Sequence, residues 1–540
     1  MRQHLWDKVR IGRVRISLIV LIFTALSGCA SLPPGSDFPK TPSIALANPE
    51  ETRLGQQFEQ AARAHDGHSG YRIIPVGADG FLTRMQMINA AERTLDLQYF
   101  IFRGDETGQQ LTSAVLRAAD RGVRVRVLVD DGETSGGDDQ ISTLEAHPSI
   151  EIRIFNPFAY RGQNMGLRAL EFMFNFSRLD YRMHNKLLVV DNAIALIGGR
   201  NIGDQYFQID PNSQFADDDV FAAGPIARQL STSFDEFWNN ALSIPAEALS
   251  AEKSNHAALK ENRKVLKEQR SELKADGTQY VKLVATGEPF NGMISGRLPL
   301  IWAPAQMISD SPDKKKVKNG AMIGRLMHRA VANATTDVES EFLMITPYLI
   351  PGKEGMQMFT DMRQRQVRVR ILTSSLESST VLLAQSGYMQ YRAPLLEMGV
   401  ELYEIRSLLG NARGSGQTTA ISRYGNYALH AKLFVFDRKR VFIGSMNFDQ
   451  RSMHLNTEIG LIIDSPELAQ QVASRFEAMV QPVNSYRLAL RPNDAEESPS
   501  LTWHTQEDGK AVAYDTEPAR DGWQRFKVNL LSILPLDGEL

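Results

Sequence analysis

The sequence contains very little cysteine, since Cys29 is the only one among its 540 residues. A single thiol cannot form a disulfide within the chain, and it cannot supply the set of thiolates that a structural zinc site uses. The chain also lacks a large charge of one sign, because its formal net charge at pH 7 is -3. We therefore expect no binding to nucleic acid, although a local groove could still be basic.

The N-terminus lacks an apolar run long enough to span a membrane. Several basic residues precede the apolar segment from Ile16 to Leu26, which is only 11 residues long. A helix needs about 20 residues to cross a bilayer, so this pattern is typical of an export signal and not of a membrane span. The residues that follow, Leu26-Ser27-Gly28-Cys29, resemble the processing box of bacterial lipoproteins.

In that class of proteins the cysteine is lipidated and becomes the mature N-terminus, so Cys29 predicts a protein held at a membrane by acyl chains. The expected location is the bacterial cell envelope, facing the periplasm. Two alternatives stay open: a signal peptide that happens to end near a cysteine, and an uncleaved anchor. Ala30 follows the cysteine, which resembles outer-membrane sorting in Gram-negative bacteria, and the choice between inner and outer membrane stays open.

An internal repeat decides the architecture. Residues 95–101 (LDLQYFI) correspond to residues 342–348 (FLMITPY), and residues 122–128 (GVRVRVL) correspond to residues 366–372 (QVRVRIL). Strands that alternate with helical segments predict an α/β lobe with a mostly parallel sheet between helices. We therefore expect two α/β/α lobes related by pseudo-twofold symmetry.

The composition along the chain suggests how these lobes are bounded. The predicted segments are an export signal at 1–29, a proline-rich tether at 30–70, a first lobe at 71–247, a charged helical linker at 248–290, a second lobe at 291–490 and a C-terminal extension at 491–540. The extension mixes aromatic, basic and aliphatic residues. It could lie in a membrane interface or pack against a lobe.

A sharper element of the repeat carries the chemistry. Both copies follow the pattern H-x-K-x4-D with an asparagine 17 residues after the histidine: His184, Lys186, Asp191 and Asn201 in the first copy, and His430, Lys432, Asp437 and Asn447 in the second. On an extended strand, residues two apart project from the same face, so the histidine and lysine of each copy point together. The apolar run after each lysine predicts a buried strand that turns at Gly198 or Gly444.

This duplicated motif is the mark of the phospholipase D superfamily, which the sequence resembles over roughly residues 71 to 490. Within it, the segments around both motifs and the closing SILPL are similar to bacterial cardiolipin synthases of the C type. The resemblance implies that one histidine attacks phosphorus while the other transfers protons to and from the alcohols. It implies His184 as the nucleophile and His430 as the acid and base, and the reverse assignment stays open.

The resemblance also implies roles for the remaining motif residues. Lys186 and Lys432 would place positive charge on the phosphoryl oxygens, and Asn201 and Asn447 would donate hydrogen bonds to them. No metal is required and no cofactor is expected.

Each imidazole further needs an acceptor on its other nitrogen. By resemblance, Glu458 would serve the second histidine and Asp217 the first. Asp191 and Asp437 are expected to fix backbone and turns and not to contact substrate.

Several other polar residues have two interpretations. Arg200 and Arg451 could each bind a lipid headgroup phosphate or form a structural salt bridge. Asp130 and Asp131 are interpreted as part of a turn, because the matching positions in the second half are the neutral pair 374–375.

The resemblance predicts a phosphatidyltransferase that makes cardiolipin. It would transfer a phosphatidyl group from a phospholipid donor, with phosphatidylethanolamine as one candidate, to the hydroxyl of phosphatidylglycerol. One alternative is phospholipase D-type hydrolysis of a lipid or, against the charge balance, of nucleic acid. Another is a non-catalytic lipid-binding scaffold of the envelope. The oligomeric state is not indicated, because both halves of the site lie in one chain.

Overall fold

Each half of the repeat forms a large mixed β-sheet with helices packed on it. The computed structural model describes residues 33–132, 144–162, 164–209, 213–249, 256–276, 287–315, 317–318, 321–322, 324, 326–409, 426–491 and 500–533. The predicted export signal, including Cys29, lies outside these residues.

The first sheet has nine strands in the spatial order β10-β1-β8-β6-β5-β2-β3-β4-β9. Their bounds are β1 (Ser69–Ile74), β2 (Thr94–Tyr99), β3 (Arg124–Asp130), β4 (Ile150–Phe155), β5 (Leu187–Val190), β6 (Ile194–Gly198), β8 (Asp219–Ala223), β9 (Ser243–Pro245) and β10 (Ile301–Ala303). A separate strand, β7 (Ser213–Ala216), pairs with β17 (Asn426–Leu429) of the other half.

The second sheet has ten strands in the order β11-β20-β19-β18-β14-β15-β16-β21-β22-β23. Their bounds are β11 (Ala305–Ser309), β14 (Glu341–Ile345), β15 (Arg368–Ser374), β16 (Glu401–Ile405), β18 (Leu433–Phe436), β19 (Arg440–Gly444), β20 (Ile459–Asp464), β21 (Ser485–Leu490), β22 (Leu501–Glu507) and β23 (Lys510–Tyr514). Two short strands, β12 (Val317–Lys318) and β13 (Ala321–Met322), form a hairpin of their own.

The helices lie on the faces of these sheets. In chain order they are α1 (Arg53–Arg63), α2 (Gly77–Ala90), α3 (Glu106–Asp120), α4 (Met165–Phe174), α5 (Phe176–Leu179), α6 (Pro225–Trp238), α7 (His256–Asp276), α8 (Pro289–Ile294), α9 (Leu326–Thr336), α10 (Gly352–Gln364), α11 (Leu382–Met389), α12 (Arg392–Glu397), α13 (Gln450–His454), α14 (Pro466–Met479) and α15 (Gly522–Leu531). The two predicted α/β lobes are confirmed.

The predicted parallel order is restricted to the centre of each sheet. Strands β2, β3 and β4 are parallel, as are β14, β15 and β16, whereas the flanking strands pair antiparallel. The reason is the short hairpin that follows each motif. Asp191 and Asn192 both have positive φ, as do Asp437 and Arg438, and a tight turn of this kind joins only antiparallel strands.

The expected turning point at Gly198 and Gly444 is therefore wrong, since each of these glycines ends the second strand of its hairpin. A Cβ at Gly198 would lie 2.3 Å from the carbonyl oxygen of Asp218, and one at Gly444 would lie 2.6 Å from that of Ile459. Glycine is required there because a neighbouring strand approaches closely.

One continuous core joins the two lobes. Helices α6 and α14 lie between the sheets, and buried side chains such as Phe234 and Phe476 share one cluster with Val189 of the first sheet and Val435 of the second. The lobes are therefore held together by apolar packing, which fixes the position of one motif relative to the other.

The boundaries differ from the predicted ones at the described ends. Residues 33–70 are not a tether: Leu54 and Phe58 of α1 enter the core of the first lobe, and Lys40 Nζ donates to the carbonyls of Asn240 (2.6 Å) and Ser243 (2.9 Å). The high proline content of this segment favoured the prediction of a tether, although the amphipathic helix α1 follows the prolines. In the extension, β22 and β23 add two strands to the second sheet.

The charged segment that was predicted as a linker contains α7, which packs against the first lobe. Helix α7 packs on α3 of the first lobe, where Arg263 Nη2 lies 2.7 Å from Asp120 Oδ1 and Leu259 is buried. Among the described residues, no helix combines the length and the apolarity that crossing a bilayer requires.

Candidate active site

The two motif histidines line one cavity of about 510 Å³. Its walls come from both halves of the chain, because they include Phe100 and Tyr206 of the first half and Tyr348 of the second. Both imidazoles are largely buried, with only their cavity side accessible. The structure thus brings His184 and His430 together, as the repeat predicted.

Backbone pairing between the halves positions each histidine. The amide of His184 donates to the carbonyl of Thr457 (3.0 Å), and the amide of His430 donates to the carbonyl of Ala216 (2.8 Å). In both cases the acceptor immediately precedes an acidic residue of the opposite half. The start of each motif is therefore hydrogen-bonded to the backbone of the opposite lobe.

The carboxylate partners of the imidazoles are the reverse of those expected. His184 Nδ1 lies 2.9 Å from Oε2 of Glu458, and His430 Nδ1 lies 2.5 Å from Oδ2 of Asp217. The prediction that each acid serves the histidine of its own half is wrong. Spacing within one repeat could not show that each motif strand is hydrogen-bonded to the other lobe.

This pairing fixes the chemistry of the two rings. Each carboxylate accepts a hydrogen bond from Nδ1–H, which leaves Nε2 as the ring nitrogen available to a substrate. Aromatic rings hold the imidazole planes: Phe100 meets His184 edge-on at 5.1 Å, and Phe215 stacks on His430 at 5.2 Å. The site therefore offers two oriented nitrogens in one cavity.

The two carboxylates are supported differently. Glu458 accepts hydrogen bonds from the hydroxyls of Ser445 (2.5 Å) and Ser452 (2.8 Å). Asp217 instead lies against Gly199, where a Cβ would come within 2.2 Å of Asp217 Oδ1. This explains why the first motif has glycine where the second has serine. Ser445 and Ser452 were not among the predicted site residues, although the difference between Gly199 and Ser445 at matching positions of the repeat was visible in the sequence.

Burial and neighbouring charges shift the pKa of the ionisable groups at the site away from their usual values. Desolvation, then the nearby Lys432, lowers the pKa of His430 to about 3. Desolvation and the nearby Lys186 hold the pKa of His184 well below its usual value. Burial also raises the pKa of Glu458 to about 7 and lowers that of Lys432 to about 8. A bound phosphodiester would favour the charged form of each lysine and histidine.

Asp217 behaves differently from Glu458. Burial alone would raise its pKa, but the adjacent His430, Lys432 and Arg200 together lower it below its usual value. Asp217 is therefore an ionised acceptor for His430. The two histidines are held in electrostatically distinct settings.

Each motif lysine is hydrogen-bonded to the backbone carbonyl of the histidine in its own motif. Lys186 Nζ donates to the carbonyl of His184 (2.5 Å), and Lys432 Nζ donates to the carbonyl of His430. Both side chains are almost fully buried. An ammonium carries three donors, so each lysine keeps two N–H groups beyond the one that bonds its own histidine carbonyl.

The two motif asparagines are not equivalent. Asn201 Oδ1 accepts from the amide of Ile101 (3.1 Å), and its Nδ2 donates to the hydroxyl of Tyr206 (3.0 Å). Asn447 also lines the cavity, but its Oδ1 has no hydrogen-bond partner in the described part of the chain. A buried amide without a partner is costly, which points to a ligand contact at Asn447.

The motif aspartates anchor backbone, as expected. Asp191 accepts hydrogen bonds from the amides of residues 92–94, and Asp437 accepts them from the amides of residues 339–341. Each carboxylate thus fixes the start of the strand that leads to the cavity. These hydrogen bonds are of the kind expected of Asp191 and Asp437, and the absence of substrate contact stays a prediction.

The structure also shows the contacts of Arg200, Arg451 and Asp130. Arg200 is fully buried and bonds Asp219 Oδ2 (3.0 Å), so it forms a structural salt bridge. Arg451 lines the cavity while its Nη1 donates to Asp180 (2.7 Å). Asp130 ends β3 and accepts from the amide of Met183 (2.8 Å), which holds the segment that carries His184.

No group of three or more possible metal ligands occurs among the residues that the structure describes. The cavity wall itself presents two imidazoles and the amides of the two motif asparagines, and the buried lysines are bonded to the carbonyls of the two histidines. This set suits the transfer of an anionic group by nucleophilic and acid–base steps.

Comparison with known proteins gives a consistent result. A family model described as cardiolipin synthase, phospholipase D-like domain, matches residues 85–238 and 329–480. Cardiolipin synthase C of Escherichia coli (strain K12) is 35% identical over 488 residues, which cover 90% of this chain and 99% of that protein. A cardiolipin synthase of Halalkalibacterium halodurans is 23% identical over 426 residues, with coverage of 78% and 68%.

A solved structure shares the fold. The crystal structure of phosphatidylserine synthase from Haemophilus influenzae Rd KW20 superposes with a TM-score of 0.50 at 13% sequence identity. The match covers 80% of this chain and 92% of that one. At this identity the likeness shows the arrangement of two lobes and nothing further.

Proposed function

The chain belongs to the cardiolipin synthase, phospholipase D-like family, and from this premise we propose that it transfers a phosphatidyl group to the hydroxyl of phosphatidylglycerol, which makes cardiolipin. It is a phosphatidyltransferase, and the donor is a phospholipid. Phosphatidylethanolamine and a second phosphatidylglycerol are both chemically suitable donors.

One observation carries this proposal: two imidazoles, each held through Nδ1 by a buried carboxylate, line the same cavity. A nucleophile and a proton donor on opposite sides of phosphorus are what a two-step displacement needs.

The proposed chemistry proceeds in two balanced steps. In the first, Nε2 of one histidine forms a bond to phosphorus, the bond from phosphorus to the donor alcohol breaks, and the other histidine gives that alcohol a proton. In the second, the other histidine removes the proton from the phosphatidylglycerol hydroxyl, whose oxygen displaces the first histidine from phosphorus. Both histidines return to their starting states.

The electrostatics support His184 as the nucleophile and His430 as the acid and base. Burial lowers the pKa of His430 to about 3, so its ring is neutral near pH 7. The ionised Asp217, together with the negative charge of a bound phosphodiester, favours the protonated form of His430, which can then donate a proton. Glu458 has its pKa raised to about 7 by burial, so it stabilises a charged His184 less strongly and leaves its ring neutral. Lys186, Lys432 and Asn447 would stabilise the charge on the phosphoryl oxygens.

We also propose that lipidation of Cys29 holds the protein at a membrane of the bacterial envelope with the lobes on the periplasmic side. The basic and apolar segments before Leu26-Ser27-Gly28-Cys29 support this. Lys40 is hydrogen-bonded to the carbonyls of Asn240 and Ser243 in the first lobe, so a short stretch of chain separates the proposed lipid from the lobe.

The test uses the full-length protein in mixed vesicles of phosphatidylethanolamine and phosphatidylglycerol, with lipid products identified by mass spectrometry. We expect cardiolipin from the wild type and none from His184→Ala or His430→Ala, whereas the remote variant His504→Ala stays active. Isotopic labelling of one lipid at a time identifies the donor. Phosphatidic acid without cardiolipin would indicate a hydrolase, and full activity in both histidine variants would contradict the mechanism.

A further inference from the structure

Helix α4 exposes nearly all of its large apolar side chains. Met165, Met173 and Phe174 are 68%, 70% and 61% exposed. Its one buried side chain is Arg168, whose Nη2 donates to the carbonyl of Asp131 (2.6 Å). A helix on a globular protein normally buries its apolar stripe. Here the polar side chain faces the protein and the apolar ones face outward.

Helix α15 has a similar outward face. Trp523, Phe526 and Leu530 recur at helical spacing and are 62%, 54% and 57% exposed. The rings of Trp523 and Phe526 stack at 5.2 Å, and Lys527 Nζ lies 5.5 Å from the centre of the Trp523 ring. The opposite face holds the helix in place, since Gln524 Nε2 donates to the carbonyl of Leu376 (2.8 Å).

Both helices adjoin the mouth of the active-site cavity. Helix α15 packs on α11, whose residues Leu383 and Ala384 line the cavity. Helix α4 leads through α5 to Asp180, which accepts a hydrogen bond from the cavity residue Arg451 (2.7 Å). Each helix is therefore connected to the wall of the same cavity, one on each lobe.

The topology explains why these helices share a face of the molecule. Helix α4 follows the end of the parallel strand β4, and the loop that α15 contacts follows the end of β15. The cavity also lies at this edge, because its residues Phe100 and Tyr348 follow β2 and β14. In contrast, exposed Ile44 lies at the other edge, where its carbonyl accepts from Arg124 at the start of β3.

We propose that α4 and α15 dock the mouth of the cavity onto a phospholipid bilayer. Their apolar side chains enter the boundary between headgroups and acyl chains, where tryptophan is favoured. Lys527, and Lys315 beside α5, lie where anionic headgroups would meet the protein. The inference rests on the proposed function, because a substrate that resides in the bilayer is what requires the cavity to face it.

The first test separates docking from chemistry by using two substrates with the full-length protein. The double variants Met173→Asp/Phe174→Asp and Trp523→Asp/Phe526→Asp are compared with the matched controls Ile44→Asp and Val265→Asp, which change exposed apolar residues away from the mouth. We expect each double variant to lose about tenfold or more of its activity on vesicles, because a charge opposes burial in the interface. Activity on a short-chain phosphatidylglycerol kept monomeric should stay within about twofold.

Equal activity of the double variants and the controls on vesicles would overturn the proposal, as would a parallel loss on the monomeric lipid. A wild type inactive on both substrates would refute the proposed function instead, and a second measurement then still decides the docking. The variants Trp523→Leu and Trp302→Phe identify the fluorescence of each tryptophan by its loss. Brominated acyl chains should quench the fluorescence of Trp523 and should not quench that of Trp302. If Trp523 is not quenched, or if α15 is covered by a second copy that dissociates in the double variant, the proposal is wrong.

Discussion

His184 and Glu458 lie 2.9 Å apart at the active site although 274 residues separate them in the chain. The reciprocal pair, His430 and Asp217, is separated by 213 residues. Each half thus holds the acid that orients the imidazole of the other half. Catalysis consequently depends on the packing of the two lobes, and not only on the two motifs.

Removing either carboxylate should disable the histidine of the opposite half. We expect Glu458→Gln and Asp217→Asn to lower kcat by roughly 10²- to 10⁴-fold, the range of an acid–base contribution, because the ring loses its charged acceptor. Cardiolipin formation in vesicles measures the effect. Glu467→Gln, at an exposed position on α14, is the control. Unchanged kcat in both acidic variants would show that the imidazoles are oriented by other groups.

Substitutions at the matching positions Gly199 and Ser445 should have unequal effects on activity. A serine at position 199 would place Cβ 2.2 Å from Asp217 Oδ1, so Gly199→Ser should displace that carboxylate and cost about 1–3 kcal/mol of stability, as overpacking does. We expect its activity to fall more than tenfold. The mirror variant Ser445→Gly loses one hydrogen bond to Glu458 and should keep most of its activity. Similar losses in both variants would contradict this account.

The motif aspartates should matter for stability more than for chemistry. Asp191→Ala leaves three backbone amides, of which that of Thr94 is buried, without their acceptor, which should lower the free energy of unfolding by about 2–4 kcal/mol. Chemical denaturation measures this, and Asp361→Ala, at an exposed position on α10, serves as the control. We expect the kcat of the folded fraction to remain within about threefold. A stable Asp191→Ala protein without activity would instead indicate contact with the substrate.

Stability should fall in mild acid because of His430. Its pKa is lowered to about 3 in the folded protein, so between roughly pH 6.5 and pH 3 the unfolded state binds a proton that the folded state does not. Unfolding is therefore favoured as the pH falls through this window. The wild type should lose on the order of 1–2 kcal/mol from this group between pH 7.5 and pH 5.

The measurement is the thermal unfolding midpoint at the two pH values. His430→Gln has no titrating ring, so the drop should be smaller than in the wild type, whereas His504→Gln should show the full drop. An identical acid response in His430→Gln and the wild type would show that other groups dominate this range.

The sequence predicted the two lobes and the motif residues well, because a duplication repeats its own spacing. The paired histidines, lysines and asparagines could be aligned without knowing any contact. The roles of Asp191 and Asp437 were also predictable, since an acidic residue at the end of an apolar run commonly holds a turn.

The pairing of acids with histidines could not be predicted in the same way. Spacing along the chain suggests partners within a half, whereas the hydrogen bonds of His184 to Thr457 and of His430 to Ala216 are formed between lobes. Such contacts follow from how the sheets pack, and this depends on the shared core of α6 and α14. The folded state of residues 33–70 was missed for a related reason, since the prolines there outweighed the short amphipathic helix α1.

The exchange of carboxylates between the halves has a consequence for how such a chain arises. A single lobe of this topology would possess a histidine without its acid, so it would gain a complete site only by meeting a second copy across a twofold axis. In this chain both contacts are intrachain, so the two sites need not be identical: glutamate is paired with serine at one histidine, and aspartate lies against glycine at the other.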